Sequence, residues 1–125
     1  MVCFDTSILI DYLKGDEGIV ELIKAYAKDE KISTTAITEY ELLKHPDRIK
    51  RDVAMELISS MEVHSFDTDA AVESAKIYQD LKARGKMINE NDILIAGISE
   101  SNKELLITRD TGFSDISESG RVRIV

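Results

Sequence analysis

Asp5 follows directly on the apolar run Val2-Cys3-Phe4, and Asp110 closes the triplet Thr108-Arg109-Asp110 directly after Glu104-Leu105-Leu106-Ile107. If both runs are parallel strands, the two acids stand at the carboxyl edge of one sheet, where open α/β folds bind ligands near the point at which strand order reverses. Glu41 belongs to the helix after a second strand, and Asp92 to the first turn of the helix that leads into the Glu104 strand, so each can lean over the same edge. Four carboxylates gathered there repel one another, and a divalent cation relieves that repulsion. Carboxylate and water oxygens suit Mg²⁺ or Mn²⁺, whereas zinc calls for His or Cys, and Cys3, His45 and His64 show no zinc-binding spacing. A metal held by acids alone activates a water and stabilises the charge that develops on a phosphoryl group.

Each acid also has a plainer role. Asp5 or Thr6 can cap the first helix, and Asn89 with Asp92 three residues later forms a polar cap pair that complements the helix dipole. Asp110 in Arg109-Asp110-Thr111-Gly112 is a natural turn residue, and Glu41 is one of many acids suited to a solvated face. Taken singly, the plainer reading is the stronger. The joint placement after strands supports the chemical one.

The elements that must position these residues alternate. Val2 to Phe4 reads as a strand, and the spacing of Ile8, Ile10 and Leu13 as a helix broken at Gly15-Asp16. Ile19, Leu22, Ile23 and Tyr26 carry a second helix to about Asp29, and Lys31-Ile32-Ser33 a weak strand. A short helix from Thr35 or Ala36 must end at His45-Pro46, because the residue before proline avoids helical dihedrals, and Asp47 caps the next helix. Glu62 to Ser65 alternates like a strand. Asp67 opens a long helix with Ala71, Ala75, Tyr78 and Leu81 on its inner face, ended by Gly85. Asn89 caps a helix carrying Ile93, Leu94 or Ile95, and Ile98; strands at Glu104 to Thr108 and Arg121 to Val125 complete the chain. Such alternation predicts an α/β sandwich around a mostly parallel sheet of about four or five strands, helices on both faces.

Composition narrows the function. At 125 residues, 43% hydrophobic and 32% charged, the sequence predicts one domain, residues 1–125, with one core. The formal charge of −8 opposes general affinity for a phosphate backbone, so a passive nucleic-acid coat is excluded while an enzyme acting on nucleic acid is not. Local basic clusters must then meet substrate phosphates: Lys44, Arg48, Lys50 and Arg51, or Lys82, Arg84 and Lys86, or Arg109, most of them otherwise solvated faces. A single cysteine and an opening without a basic flank predict a reducing cytoplasm, and no run approaches the roughly 20 apolar residues that span a membrane.

Four stretches together resemble the PIN-domain nucleases, in particular the small VapC-like toxins of prokaryotic toxin–antitoxin pairs. They are Phe4-Asp5-Thr6-Ser7-Ile8-Leu9-Ile10; Ser33-Thr34-Thr35-Ala36-Ile37-Thr38-Glu39-Tyr40-Glu41-Leu42-Leu43; Arg84-Gly85-Lys86-Met87-Ile88 with Asn91-Asp92-Ile93-Leu94-Ile95-Ala96; and Leu106-Ile107-Thr108-Arg109-Asp110 with Phe113. The resemblance implies a PIN-like three-layer α/β/α sandwich and an endoribonuclease dependent on Mg²⁺ or Mn²⁺. It implies Asp5, Glu41, Asp92 and Asp110 as the catalytic, metal-holding cluster, with the hydroxyls of Thr6, Ser7 and Thr108 orienting those carboxylates. It implies RNA as substrate, a small basic antitoxin as partner, a homodimer, and no membrane association. Lys44-His45-Pro46 stands where many relatives have a glycine, and the fourth acidic position is variable in the family.

Two other readings compete. A phosphotransfer protein on a similar sheet would use an acid after the first strand as nucleophile, but a phosphatase of the haloacid-dehalogenase type needs a second aspartate where Ser7 stands, and a receiver domain needs one after its third strand, where only Asp67 is near. A catalytically silent interaction module of the same fold is opposed by the presence of all four acids.

Overall fold

The chain starts in the middle of its own sheet. The computed structural model describes residues 1–116 and 121–125, and among these β1 (Val2–Phe4), β2 (Ile32–Thr35), β3 (Glu62–His64), β4 (Leu105–Thr108) and β5 (Val122–Ile124) pair in the order β3-β2-β1-β4-β5. Every neighbouring pair is parallel, with Val2 opposite Ile32 on one side and Leu105 on the other. The chain lays β2 and β3 outward from β1, then crosses back to add β4 and β5. Strand order therefore reverses between β1 and β4, and the residues after those two strands flank the reversal.

Helices cover both faces, so β1 is buried throughout. Side chains alternate across the sheet: Val2, Phe4 and Ile107 pack with Ile8, Leu9, Ile19, Ile23, Leu42, Ala54 and Ile58, from α1 (Thr6–Leu13), α2 (Glu17–Asp29), α3 (Ala36–Leu43) and α4 (Arg48–Ile58). On the other face Cys3 and Leu106 pack with Leu81, Ile93, Ile95 and Ala96 of α5 (Thr68–Ala83) and α6 (Glu90–Ser101), and with Phe113. Asp5, Asp16, Thr35, Asp47, Asp67 and Asn89 are the N-caps, each accepting a hydrogen bond from a first-turn backbone N–H. No described helix is long and apolar enough to cross a membrane.

Three local expectations change. The second strand runs on to Thr35 rather than ending at Ser33. Its Ser-Thr-Thr composition looks exposed, yet all three are buried, with Thr34 Oγ1 donating to Phe4 O at 2.8 Å and Ser33 Oγ set against Glu104 and Val2 O. The inner face of α5 is Ala70, Ser74, Ile77 and Leu81, and Ala71, Ala75 and Tyr78 are exposed. The rotation follows from close packing: a Cβ on Gly97 of α6 would lie 1.8 Å from Ser74 Oγ, so the two small residues set the helix spacing. Finally, α6 has no single apolar stripe, because Ile93 and the run Ile95 to Ser99 are all buried between α5 and the sheet.

Candidate active site

Asp5 is the first residue after β1 and the cap of α1, and its side chain is buried. Its Oδ1 accepts from Ser7 Oγ at 2.6 Å and from Ile8 N at 3.2 Å, and its Oδ2 accepts from Thr108 Oγ1 at 2.6 Å. The turn after β4 backs these hydroxyls: Arg109 N donates to Ser7 Oγ at 3.0 Å and Asp110 N to Thr108 Oγ1 at 2.9 Å. Burial pushes the Asp5 carboxyl up, the hydrogen bonds oppose that push, and the charge of Asp110 adds to it.

Glu41 enters from α3. Thr6 Oγ1 lies 2.7 Å from Glu41 Oε1 and 3.1 Å from Thr38 Oγ1. The Thr6 hydroxyl has one proton, so donating it to Glu41 leaves the contact with Thr38 to the Thr38 hydroxyl. Thr38 is buried one turn before Glu41 and sits 3.4 Å from Thr35 Oγ1. The apolar spacing of α3 does not by itself distinguish Glu39 from Glu41 at the sheet edge; the hydrogen bond from Thr6 goes to Glu41.

Asp92, in the first turn of α6, is half-buried, and its carboxyl is pushed up to about 6 by burial first, then by Asp110, Asp5 and Glu41. Four acids from four separate elements thus share one field. Asp110 is exposed and also fills its plainer role, capping the 3₁₀ turn Thr111–Asp115 by accepting from Gly112 N at 2.8 Å. Among the described residues no three acidic, His or Cys side chains already stand at coordinating distance from one another. The donors nonetheless fit a hard divalent cation of the Mg²⁺ type, which keeps several waters and needs few direct carboxylates. The softer donors are occupied elsewhere: His64 Nε2 pairs with Glu104 Oε2 at 2.6 Å, His45 Nδ1 accepts from Asp47 N, and burial pushes the Cys3 thiol up to about 12.

Residues 2–119 match the family described as PIN domain. The chain belongs to the PIN-domain family. Among its relatives, the ribonuclease VapC5 of Mycobacterium tuberculosis is 27% identical over 131 residues, covering 97% of this chain and 91% of that protein. The ribonuclease VapC3 of Methanocaldococcus jannaschii is 30% identical over 94 residues, covering 75% of this chain and 93% of its own. A solved member of the VapBC family of toxin–antitoxin systems, VapBC-5 from Mycobacterium tuberculosis, superposes with a TM-score of 0.73 at 26% identity, covering 99% and 96% of the two chains. The α/β fold of the described residues, with its five-stranded parallel sheet, matches that solved structure.

This PIN domain also has features that the sequence did not reveal. The basic clusters are largely engaged: Arg51 Nη1 donates to His45 O and Pro46 O, Arg84 pairs with Asp80, and Arg109 with Asp11 and Asp16. Thr38 carried a detectable signal, since three residues before Glu41 on a helix is the same face. Beside Glu41 an apolar groove of about 340 Å³ runs between α1 and α4, lined by Ile10, Leu13, Leu42, Ile49 and Val53.

Proposed function

We propose that this PIN domain is an endoribonuclease dependent on Mg²⁺ or Mn²⁺, the toxin of a toxin–antitoxin pair. The observation that carries the reading is the elevated Asp92 carboxyl, raised in part by Asp110, Asp5 and Glu41, which marks four acids on one anionic site. The names of the VapC ribonuclease relatives and the VapBC structure support the substrate class and the toxin role.

Asp5, Glu41, Asp92 and Asp110 would hold the cation. When bound, the ion supplies Lewis acidity for a water nucleophile and for the charge gathering on the phosphate. Ser7, Thr108 and Ile8 N orient the Asp5 carboxylate, and Thr6 orients Glu41. The Asp92 carboxyl, pushed up to about 6 by burial and by the charges of Asp110, Asp5 and Glu41, would be returned to its ionised form by the cation it helps to hold. An antitoxin segment with an apolar face and basic flanks suits the groove beside Glu41, where Ile49 is 74% exposed, and suits the net charge of −8. A second copy of the chain suits the surface that leaves Tyr78 of α5 and Phe66, just before that helix, exposed.

The test is cleavage of structured RNA by purified protein with Mg²⁺ or Mn²⁺, then with chelator, beside Asp5→Asn. Cleavage should vanish in both controls; activity surviving the chelator and the substitution overturns the reading.

A further inference from the structure

Arg109 stands between Thr108 and Asp110, beside the acid cluster, yet its guanidinium turns away from it. Nη1 lies 3.1 Å from Asp11 Oδ2 and 2.8 Å from Asp16 Oδ2. Asp11 belongs to α1, the helix capped by Asp5, and Asp16 is the cap of α2. Between them Gly15 adopts φ +81°, a left-handed conformation open to glycine, and this turn brings both carboxylates to one nitrogen. We infer that Arg109 is a positioning residue: it braces the turn after β4 against the α1–α2 corner and thereby holds Asp5 and Asp110 in their working orientation.

The path is continuous. The braced turn presents Arg109 N to Ser7 Oγ and Asp110 N to Thr108 Oγ1, and those two hydroxyls donate to the two oxygens of Asp5. The guanidinium is 39% exposed, and ion pairs at such exposure add little to global stability. Its loss is therefore felt locally, in the turn, more than in unfolding.

The inference rests on the metal-dependent reading for its main readout, and the sign of the effect separates positioning from simple electrostatics. Removing a cation beside an acidic site strengthens Mn²⁺ binding by charge alone, whereas loosening the turn weakens it. Calorimetric titration of Mn²⁺ into the metal-free full chain should give a dissociation constant about ten-fold weaker in Arg109→Ala, with Arg109→Lys recovering most of the loss. Asp16→Asn, which keeps a good cap for α2, should weaken binding in the same direction, and combining it with Arg109→Ala should add little. Amide hydrogen exchange supplies a metal-free readout, since the backbone N–H groups at 109 and 110 should lose protection by about ten-fold in Arg109→Ala while core amides stay unchanged. Mn²⁺ binding as tight as or tighter than wild type, or unchanged protection at both amides, overturns the inference. A wild type that binds no Mn²⁺ refutes the metal reading instead, and the amide protection then decides on the brace alone.

Discussion

Thr108 Oγ1 donates to Asp5 Oδ2 at 2.6 Å, joining residues 103 positions apart across the point where strand order reverses. The same oxygen accepts from Asp110 N, so one hydroxyl couples two acids of the cluster. Thr108→Val preserves shape and removes both bonds inside a buried site. It should lower stability by about 1–3 kcal/mol in urea titration, the cost of stranding buried polar groups. Cleavage should fall by about ten-fold or more, with Thr108→Ser close to wild type. A valine variant as stable and active as the serine one rules this coupling out.

Asp92 predicts a pH dependence. Its carboxyl rises from 3.8 to about 6 in the folded chain, so its contribution to stability is full below about pH 4 and is lost as pH climbs through 6. Asp5 is shifted in the same direction. In chelator, wild type should therefore lose melting temperature relative to Asp92→Asn between pH 4 and 7. Half-exposure lets solvent screen the shift, which leaves about 1 kcal/mol. Parallel melting profiles for the two proteins contradict the prediction. Mn²⁺ should raise the wild-type melting temperature by mass action, and Asp92→Asn should blunt that rise.

Glu41 and Glu39 are separable by one pair of variants. Two residues along a helix turn through about 200°, and Thr6 meets Glu41. Glu41→Gln should cost roughly a hundred-fold in turnover, about 2.7 kcal/mol of lost charge stabilisation, with an unchanged circular dichroism spectrum. Glu39→Gln should stay near wild type. The reverse ranking in a cleavage assay means that the site must be redrawn around Glu39.

Gly97→Ala tests the α5–α6 contact. Elsewhere in a helix that change gains about 1 kcal/mol, but here the new carbon meets Ser74 Oγ at 1.8 Å and Ser74 N at 2.8 Å. Overpacking should win, with a net loss of about 1–2 kcal/mol in denaturant unfolding. Stabilisation by this substitution shows that the two helices separate more easily than their packing implies.

What could be seen in the sequence was local. Caps at Asp47, Asp67 and Asn89, the breaks at Gly15 and Pro46, and the apolar run before Asp5 are signals carried within a few residues, and the element order followed from them. What escaped depends on neighbours far along the chain. Ser33 and Thr34 look solvent-exposed until Val2, Phe4 and Glu104 accept their hydroxyls. Glu104 reads as the edge of a strand, yet it is a buried carboxylate held by Ser33 and His64 from two other strands. Arg109 reads as a phosphate contact because nothing in Thr108-Arg109-Asp110 announces Asp11 and Asp16, which lie more than 90 residues away.

The central position of β1 also bears on when the chain becomes active. During synthesis Asp5 is made roughly a hundred residues before Thr108 at the end of β4 and Asp110 in the turn after it, at ribosomal rates of about 5–20 residues per second. Until β4 docks beside β1, Asp5 lacks its Thr108 donor and the cluster lacks its last acid. On the proposed reading, a nascent chain stalled before Thr108 therefore holds only part of the acid cluster, and cleavage waits until β4 and the turn after it have been made.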